Sequence, residues 1–182
     1  MRWKFVVLSF WCTAFLAACN QPAAKDKGGD ADKKSEKGKS EKEVEKAFAD
    51  LQAAIKAKDV DKIWGLLSKD SHADTEREAK AVKAAYEKMA EKDKPDYEMK
   101  IGLSAKDIAD MTGKTYVKSK TFFTKEVAEL VDSKFDKAEL SGESGKVHYT
   151  EDDGKGQKEK MSIAREEGQW KFTVDLPKAV LK

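Results

Sequence analysis

Cysteine is nearly absent from this sequence of 182 residues. Its two cysteines are Cys12 and Cys19, and no thiol follows residue 19. The rest of the chain therefore has no disulfide framework, no thiolate zinc site and no cysteine nucleophile. Histidine is scarce as well. His72 and His148 lie on different predicted elements, so we expect no metal site built from several imidazoles.

The chain also lacks an excess of one charge. It has 36 Lys and Arg residues against 34 Asp and Glu residues, and the two signs are interspersed. Because nucleic-acid affinity comes mainly from neutralised phosphates, we expect no nucleic-acid partner. No phosphate-binding glycine loop, GxSxG or GxGxxG pattern occurs. Nucleotide-binding and serine-hydrolase functions therefore have no motif to support them, and no cofactor is predicted.

One uncharged apolar run is present, from Phe5 to Ala18, and it is preceded by the basic residues Arg2 and Lys4. About fourteen residues of helix span roughly 21 Å, which is less than the about 30 Å of a bilayer core. The run has the length of the hydrophobic part of a signal peptide. The alternatives are a short transmembrane anchor and an ordinary cleaved signal peptide, whose small-x-small site Ala14 to Ala18 could supply.

The end of this run, Leu16-Ala17-Ala18-Cys19, resembles the lipobox of bacterial lipoproteins. The resemblance implies cleavage between Ala18 and Cys19, a diacylglyceryl group on the Cys19 thiol, and acylation of the new amine. Two or three acyl chains hold a protein stably on a membrane. We therefore expect a lipoprotein signal peptide over residues 1–18 and a lipid-anchored protein of the bacterial cell envelope. Asn20 favours the periplasmic face of the outer membrane if the envelope is Gram-negative.

Apart from Pro22, residues 20–42 contain no aromatic or aliphatic side chain larger than alanine. Such a segment cannot bury enough apolar surface to offset the entropy lost on ordering. We therefore predict that residues 19–42 form a lipidated cysteine and a disordered polar tether, with a reach on the order of 25–30 Å. Residues 43–182 are predicted to form one domain.

Helical periodicity begins at residue 43, where Val44, Phe48, Leu51 and Ile55 share one face. Asp59 is the expected N-cap of a second helix, and a capping box at Thr75 and Glu78 is expected to start a third. We expect that helix to end at Pro95, and we expect a short strand over Tyr97, Met99 and Ile101. A capping box at Ser104 and Asp107 is expected to start another helix, with Gly113 as its C-cap. Residues 114–131 are expected to form helix rather than strand.

The last fifty residues alternate apolar and polar side chains. Turn signals at Ser144-Gly145, Asp153-Gly154 and Glu167-Gly168 separate the alternating segments. This pattern predicts an antiparallel meander with one apolar face. Helices followed by a one-sided sheet indicate the α+β class, with the N-terminal helices packed on a curved antiparallel sheet of four to five strands.

Two segments resemble domains of the nuclear transport factor 2-like (NTF2-like) family. AAIKAKDVDKIWGLLSKDS is similar to the helix pair that opens them, and REEGQWKFTVDL is similar to their closing hairpin. The resemblance spans about residues 43–176 and implies a cone in which the sheet wraps the helices around a pocket. Members include isomerases, dehydratases, small-ligand binders, transport factors and many lipoproteins, so the fold does not define the chemistry.

The candidate pocket residues are aromatic, although each also lies on an apolar face where core packing is the competing interpretation. They are Trp64, Tyr86, Tyr97, Tyr149, Trp170 and Phe172. Strand parity directs His148 away from the face that holds Val147 and Tyr149, and His72 is expected in an inter-helix loop. Glu159 shares parity with Met161 and Ile163. It could act as a base if buried, or it could lie at the solvated end of its strand.

Two functions remain open at this point. The first is a non-catalytic envelope lipoprotein whose domain binds a small apolar ligand or an envelope protein, or serves as a scaffold. The alternative is a small-pocket enzyme of the NTF2-like isomerase or dehydratase kind. An apolar or filled interior would favour the first function, and converging ionisable groups in a pocket would favour the second.

Overall fold

The computed structural model describes residues 30–123, 125–152 and 154–176, with side chains from residue 40 onward except those of 125 and 126. Helices precede a four-stranded antiparallel sheet, so the predicted α+β class is confirmed. The described helices are α1 (Asp30–Ala57), α2 (Val60–Leu66), α3 (Lys69–Glu87), α4 (Lys94–Ile101), α5 (Ala105–Ala109), α6 (Gly113–Tyr116) and α7 (Lys125–Glu129), with a 3₁₀ turn at Glu91–Asp93. The predicted signal peptide, Ala18 and Cys19 lie outside the described residues.

Helix α1 begins at Asp30, so it includes residues 30–42, where composition predicted a disordered tether. The Lys and Glu residues that make this segment polar are also good helix formers, which explains the difference. Among the described side chains of α1, that of Val44 is the first to be buried. The apolar face of the helix therefore begins where the domain was expected to begin.

Two of the predicted helix starts are confirmed, and one is wrong. Asp59 caps α2 by accepting the Lys62 amide at 3.1 Å, and Ser104 forms the predicted capping box at α5. Helix α3, however, begins at Lys69 with Ser68 as its N-cap. Thr75 lies buried inside that helix, where its hydroxyl donates to the His72 carbonyl at 2.8 Å. Because Ser68 is the N-cap of this helix, Thr75 is not one.

The predicted strand over Tyr97–Ile101 is wrong, because these residues belong to α4. Pro95 lies in the first turn of this helix, where its fixed φ suits a helix start. Gly102 ends the helix with a left-handed φ of 73°. Gly113 is likewise not a C-cap. It is the first residue of α6, behind the N-cap Thr112.

The sheet consists of β1 (Lys134–Ser141), β2 (Ser144–Thr150), β3 (Lys158–Glu166) and β4 (Gln169–Thr173), in the order β1-β2-β3-β4. Each strand pairs antiparallel with the next. The predicted turn at Glu167-Gly168 is confirmed, whereas Ser144 and Gly145 begin β2. The first turn lies instead at Gly142, whose φ of 63° requires the freedom of glycine.

The apolar face of the sheet packs against α1 through a cluster of aromatic rings. Phe48, which is 1% exposed, lies 6.1 Å from Phe135, 5.7 Å from Tyr149 and 6.2 Å from Phe172 between ring centroids. These distances suit offset and edge-to-face aromatic packing. A single side chain of α1 therefore contacts three of the four strands and fixes the helix across the sheet.

The outer edge of β4 is closed by the start of α3. The Ser68 amide donates to the Phe172 carbonyl at 2.9 Å, and the Ser68 and Thr173 hydroxyls lie 2.9 Å apart. The buried Ser71 hydroxyl then accepts the Val174 amide at 2.9 Å. Thr173 is the last residue of β4 paired with β3, and the Val174 amide continues the contact with α3 along the edge of β4 that faces away from β3.

Ser71→Ala should destabilise the fold by about 1–3 kcal/mol, because it leaves the buried Val174 amide without an acceptor. Urea-induced unfolding measures this change. Ser144→Ala is the control, since Ser144 is exposed and the substitution should cost no more than about 0.5 kcal/mol. Equal midpoints for the two variants would contradict the role given to Ser71.

Two glycines should respond to alanine with opposite signs. A Cβ on Gly113 would lie 2.8 Å from the Thr75 hydroxyl and 2.9 Å from the Glu76 amide, so Gly113→Ala should cost about 1–3 kcal/mol. Gly65 in α2 has no atom within 4 Å of that position. Gly65→Ala should therefore add up to about 1 kcal/mol through helix propensity. Thermal unfolding of both variants checks the signs, and a stabilised Gly113→Ala would refute the packing argument.

Candidate functional site

A cleft of about 510 Å³ opens where β4 leaves the sheet. The end of β2, the start of β3, the residues after Thr173 and the end of α7 line it. Its volume lies within the usual range of ligand pockets, about 300–1,000 Å³. The cleft exists because β3 extends four residues, 158–161, beyond its pairing with β4.

Tyr149 and Glu159 are direct cross-strand partners, and both line the cleft. Burial raises the pKa of Tyr149 to about 12, and four nearby carboxylates strengthen the shift because they disfavour a second negative charge. These carboxylates are those of Glu159, Glu151, Asp175 and Glu129. The cleft therefore has an aromatic wall in a negative field.

The other side of the cleft carries the opposite charge. Lys146, Lys160 and Ser162 also line it, and strand alternation directs their side chains to the outer face of the sheet. Tyr149, Glu159 and Met161 project to the helix-covered face. A molecule in the cleft would therefore meet carboxylates towards the helices and ammonium groups towards the solvent-exposed face.

The structure does not bring the six predicted pocket aromatics together. Tyr149 alone of the six lines this cleft. Trp170 and Phe172 are buried in the core. Trp64 stacks on the His72 ring, with centroids 3.9 Å apart.

Tyr86 and Tyr97 form a separate pair at the far end of α3, with ring centroids 6.1 Å apart. The Tyr86 hydroxyl donates to Glu98 at 2.5 Å, and this bond raises the pKa of Tyr86 to about 12. The short separation shows a specific polar contact between α3 and α4. Neither tyrosine has a place in the cleft.

Both histidines lie away from the cleft. His148 projects from the outer face of the sheet, as parity predicts, and its Nε2 lies 3.2 Å from a Glu139 carboxylate oxygen. His72 lies in α3 rather than in a loop, and its Nε2 is 2.9 Å from the Trp64 carbonyl oxygen. Among the described residues, no group of three or more His, Cys, Asp or Glu side chains is arranged to hold a metal ion.

Sequence reasoning singled out Tyr149 and Glu159 but missed the rest of the cleft. Glu151 shares their strand parity, so it could have been found by extending the alternation of β2 past Thr150. Asp175 and Glu129 could not have been found in this way, because their distance from Tyr149 depends on the path of the chain outside the sheet. The polar character of the cleft thus follows from tertiary structure.

Two other cavities are less developed as sites. One, of about 410 Å³, is lined by Lys58, Lys118 and Lys120 beside Phe123, with the Lys58 ammonium 5.7 Å from the Phe123 ring centroid. The other, of about 660 Å³, is a more open groove between α1 and α2, and it has no aromatic side chain in its lining. It is lined by Asp50, Ala53, Ala54, Ala57, Lys62, Gly65, Leu66 and Gln169. Neither combines an aromatic wall with charges of both signs, as the cleft does.

The raised pKa of Tyr149 predicts a pH-dependent stability. The unfolded phenol has a pKa near 10.0 and the folded one a pKa of about 12. The stabilisation from the neutral phenol is therefore complete below pH 10 and is lost as pH rises above it. Between about pH 9 and about pH 11, wild type should lose more stability to urea than Tyr149→Phe. Equal losses would show that the phenol is not held neutral.

No described helix is long and apolar enough to cross a bilayer. Comparison of the chain with protein-family models, with curated proteins and with solved structures finds no match.

Proposed function

We propose that this chain is a bacterial envelope lipoprotein, anchored through acyl chains on Cys19, whose α+β domain binds a partner in the cleft at the end of its sheet. The observation that carries the proposal is the position of the cleft relative to α1. Glu43, near the first of the described side chains of this helix, lies 3.7 Å from Arg165 at one end of the sheet. Phe48, further along, packs against Tyr149 at the other end.

The chain thus enters the domain at the end of the sheet opposite the cleft. Glu159 and Arg165 are six residues apart on β3, which corresponds to about 20 Å at the rise of a strand. A lipid on Cys19 would lie beyond the entry end. The cleft would then face away from the membrane, where a partner in solution could reach it.

The α1 residues before Val44 extend this arrangement. At about 1.5 Å per residue, helical residues 30–43 would hold the domain roughly 20 Å from the start of the helix. A segment that was expected to act as a loose tether would serve as a stiff stalk. This geometry suits a module displayed from a membrane surface.

A binding role is supported by the interior of the domain. We propose, from the resemblance of residues 43–176, that the fold is of the NTF2-like group. Where that group forms a central pocket, the sheet's covered face here is filled by Phe48, Phe135 and Phe172. A filled interior leaves the cleft at the end of the sheet as the place for recognition. None of the described residues that line it is a histidine or a cysteine.

One observation favours an enzyme of the isomerase or dehydratase kind as a second candidate. Tyr149 and Glu159 are adjacent in the cleft, and a phenol beside a carboxylate can act as an acid–base pair. Their position at a solvent-open rim, rather than inside a closed pocket, makes binding the better-supported function. Retention of partner binding by Tyr149→Phe with Glu159→Gln would separate recognition from catalysis.

Cys19→Ser should abolish incorporation of a palmitate analogue and leave an uncleaved, unlipidated precursor, because the serine hydroxyl cannot form the thioether. Metabolic labelling followed by membrane fractionation measures both effects. Cys12→Ser is the matched control and should remain labelled, since Cys12 lies within the segment expected to be removed. A Cys19→Ser chain that is still labelled and processed would refute the proposed anchor.

A further inference from the structure

The outer face of the sheet carries a row of basic side chains across three strands. Lys137 on β1 pairs with His148 on β2, and His148 pairs with Lys160 on β3. Residues opposite each other on neighbouring strands project to the same face. Because Lys137 and Lys160 are two strands apart, about 10 Å separates their backbones. Three basic groups therefore lie side by side on the solvent-exposed face.

A second row lies nearer the end of the sheet where the cleft opens. There, Thr150 on β2 lies between Lys134 on β1 and Lys158 on β3. On the other side of the first row, Lys146 pairs with Ser162. Rows on one face are two residues, or about 7 Å, apart along a strand. The backbones of the three rows on β1, β2 and β3 therefore fit within about 10 Å by 14 Å.

Four of these lysines form a surface that we call the basic platform. They are exposed, and none of them has an ion pair among the described residues: Lys134, Lys146, Lys158 and Lys160. The two carboxylates that β1 contributes beside them are already engaged. Glu139 contacts Lys137 at 2.6 Å and His148 at 3.2 Å, and Asp136 accepts the Thr150 hydroxyl at 2.8 Å.

The platform reduces the stability of the folded domain, and an anionic partner would remove the repulsion. Like charges on neighbouring strands destabilise a sheet, and Lys158 and Lys160 also follow each other on one face of β3. The end of the chain cannot supply acidic side chains, since residues 177–182 contain two lysines and no Asp or Glu. Functional surfaces are often retained at such an expense of stability. These features favour an anionic partner.

The position of the platform indicates which anionic partner covers it. Lys146 and Lys160 also line the cleft, so the platform continues the proposed recognition site onto the outer face. A membrane that held Cys19 would lie beyond the other end of the sheet, where Glu43 contacts Arg165. Among the described strand residues, no Phe, Tyr, Trp or Arg projects to the outer face, so the stacking and bidentate contacts typical of nucleic-acid recognition are missing. An acidic protein surface fits best.

We propose that the basic platform binds an acidic segment of the partner protein, whose carboxylates meet the exposed lysines beside the cleft. This inference rests on the proposed function, in that the cleft is the recognition site. It specifies the partner as a protein with clustered Asp or Glu residues next to the part that enters the cleft. Lys158 and Lys160 are two residues apart on one face, so they match carboxylates at every second residue of an extended segment.

The probe is a rhodamine-labelled decapeptide of sequence EGEGEGEGEG, and QGQGQGQGQG is the uncharged control peptide. Fluorescence anisotropy is measured with the full-length Cys19→Ser chain in micelles of a non-ionic detergent. The acidic peptide should bind at least about tenfold more tightly than the control, and added salt should weaken its binding. Because this chain carries no lipid and the peptide has no basic group for the carboxylates of the cleft, a failure here would leave the proposed anchor and cleft untouched.

Lys158→Glu and Lys160→Glu each reverse one charge of the platform. Each should weaken the binding of EGEGEGEGEG about fivefold or more, because an attraction becomes a repulsion. Lys80→Glu is the matched control, since Lys80 is an exposed lysine of α3 and the variant has the same net charge as the other two. It should bind within about twofold of wild type. Lys160→Glu should also raise the midpoint of urea unfolding, because it places a carboxylate opposite His148. Weaker binding is thereby separated from a defect in folding.

Three results would overturn the proposal. The first is equal binding of the two peptides. The second is an equal loss of affinity in Lys80→Glu and in the platform variants, because the total charge would then attract the peptide. The third is displacement of the labelled peptide by deca-uridylate RNA, or by phosphatidylglycerol added to the micelles, at lower concentrations than by unlabelled EGEGEGEGEG, because the occupant would then be a nucleic acid or a membrane. If Lys160→Glu does not fold, Lys158→Glu alone provides the comparison with Lys80→Glu.

Discussion

The hydrogen bond from the Val174 amide to the buried Ser71 hydroxyl holds the start of α3 on the outer edge of β4. The first turn of α3 suits this edge, because Ser68 and Ser71 present hydroxyl and amide groups at a helix start, where unsatisfied groups are concentrated. The pairing of β4 with β3 ends at Thr173, and residues 158–161 of β3 extend beyond it.

The two edges of the sheet are consequently closed in different ways. At β4, α3 takes the edge through backbone and hydroxyl bonds to Phe172, Thr173 and Val174. At β1, the Glu41 carboxylate of α1 accepts the Ala138 amide at 3.2 Å. Both devices limit pairing with other chains, which is the usual hazard of an exposed edge.

Much of this fold could be predicted from local signals, and the errors have a common cause. Asp59, Ser104 and the alternation of the last fifty residues depend on neighbours within a few positions, so sequence reasoning identified them correctly. Tyr97, Met99 and Ile101 alternate like a strand, yet a helix start at Pro95 places Tyr97 and Ile101 on one helical face and leaves Met99 67% exposed. A five-residue pattern cannot distinguish the two periods. Thr75 was misassigned because Ser68, seven residues earlier, is the N-cap of its helix. Gly113 was misassigned because its amide bonds to Glu76, which is distant in the sequence.

The cleft could be predicted only in part, because local sequence signals do not show where the pairing of two strands ends. Parity places Tyr149 and Glu159 on one face, but the cavity beside them depends on a departure of the chain from regular pairing. A search for catalytic motifs examines side chains, whereas this cleft depends on the place where β4 stops pairing with β3, which no motif encodes. The binding function proposed for this domain accordingly depends on tertiary structure, because the ends of several strands form the cleft and the carboxylates and ammonium groups on its two sides provide selectivity.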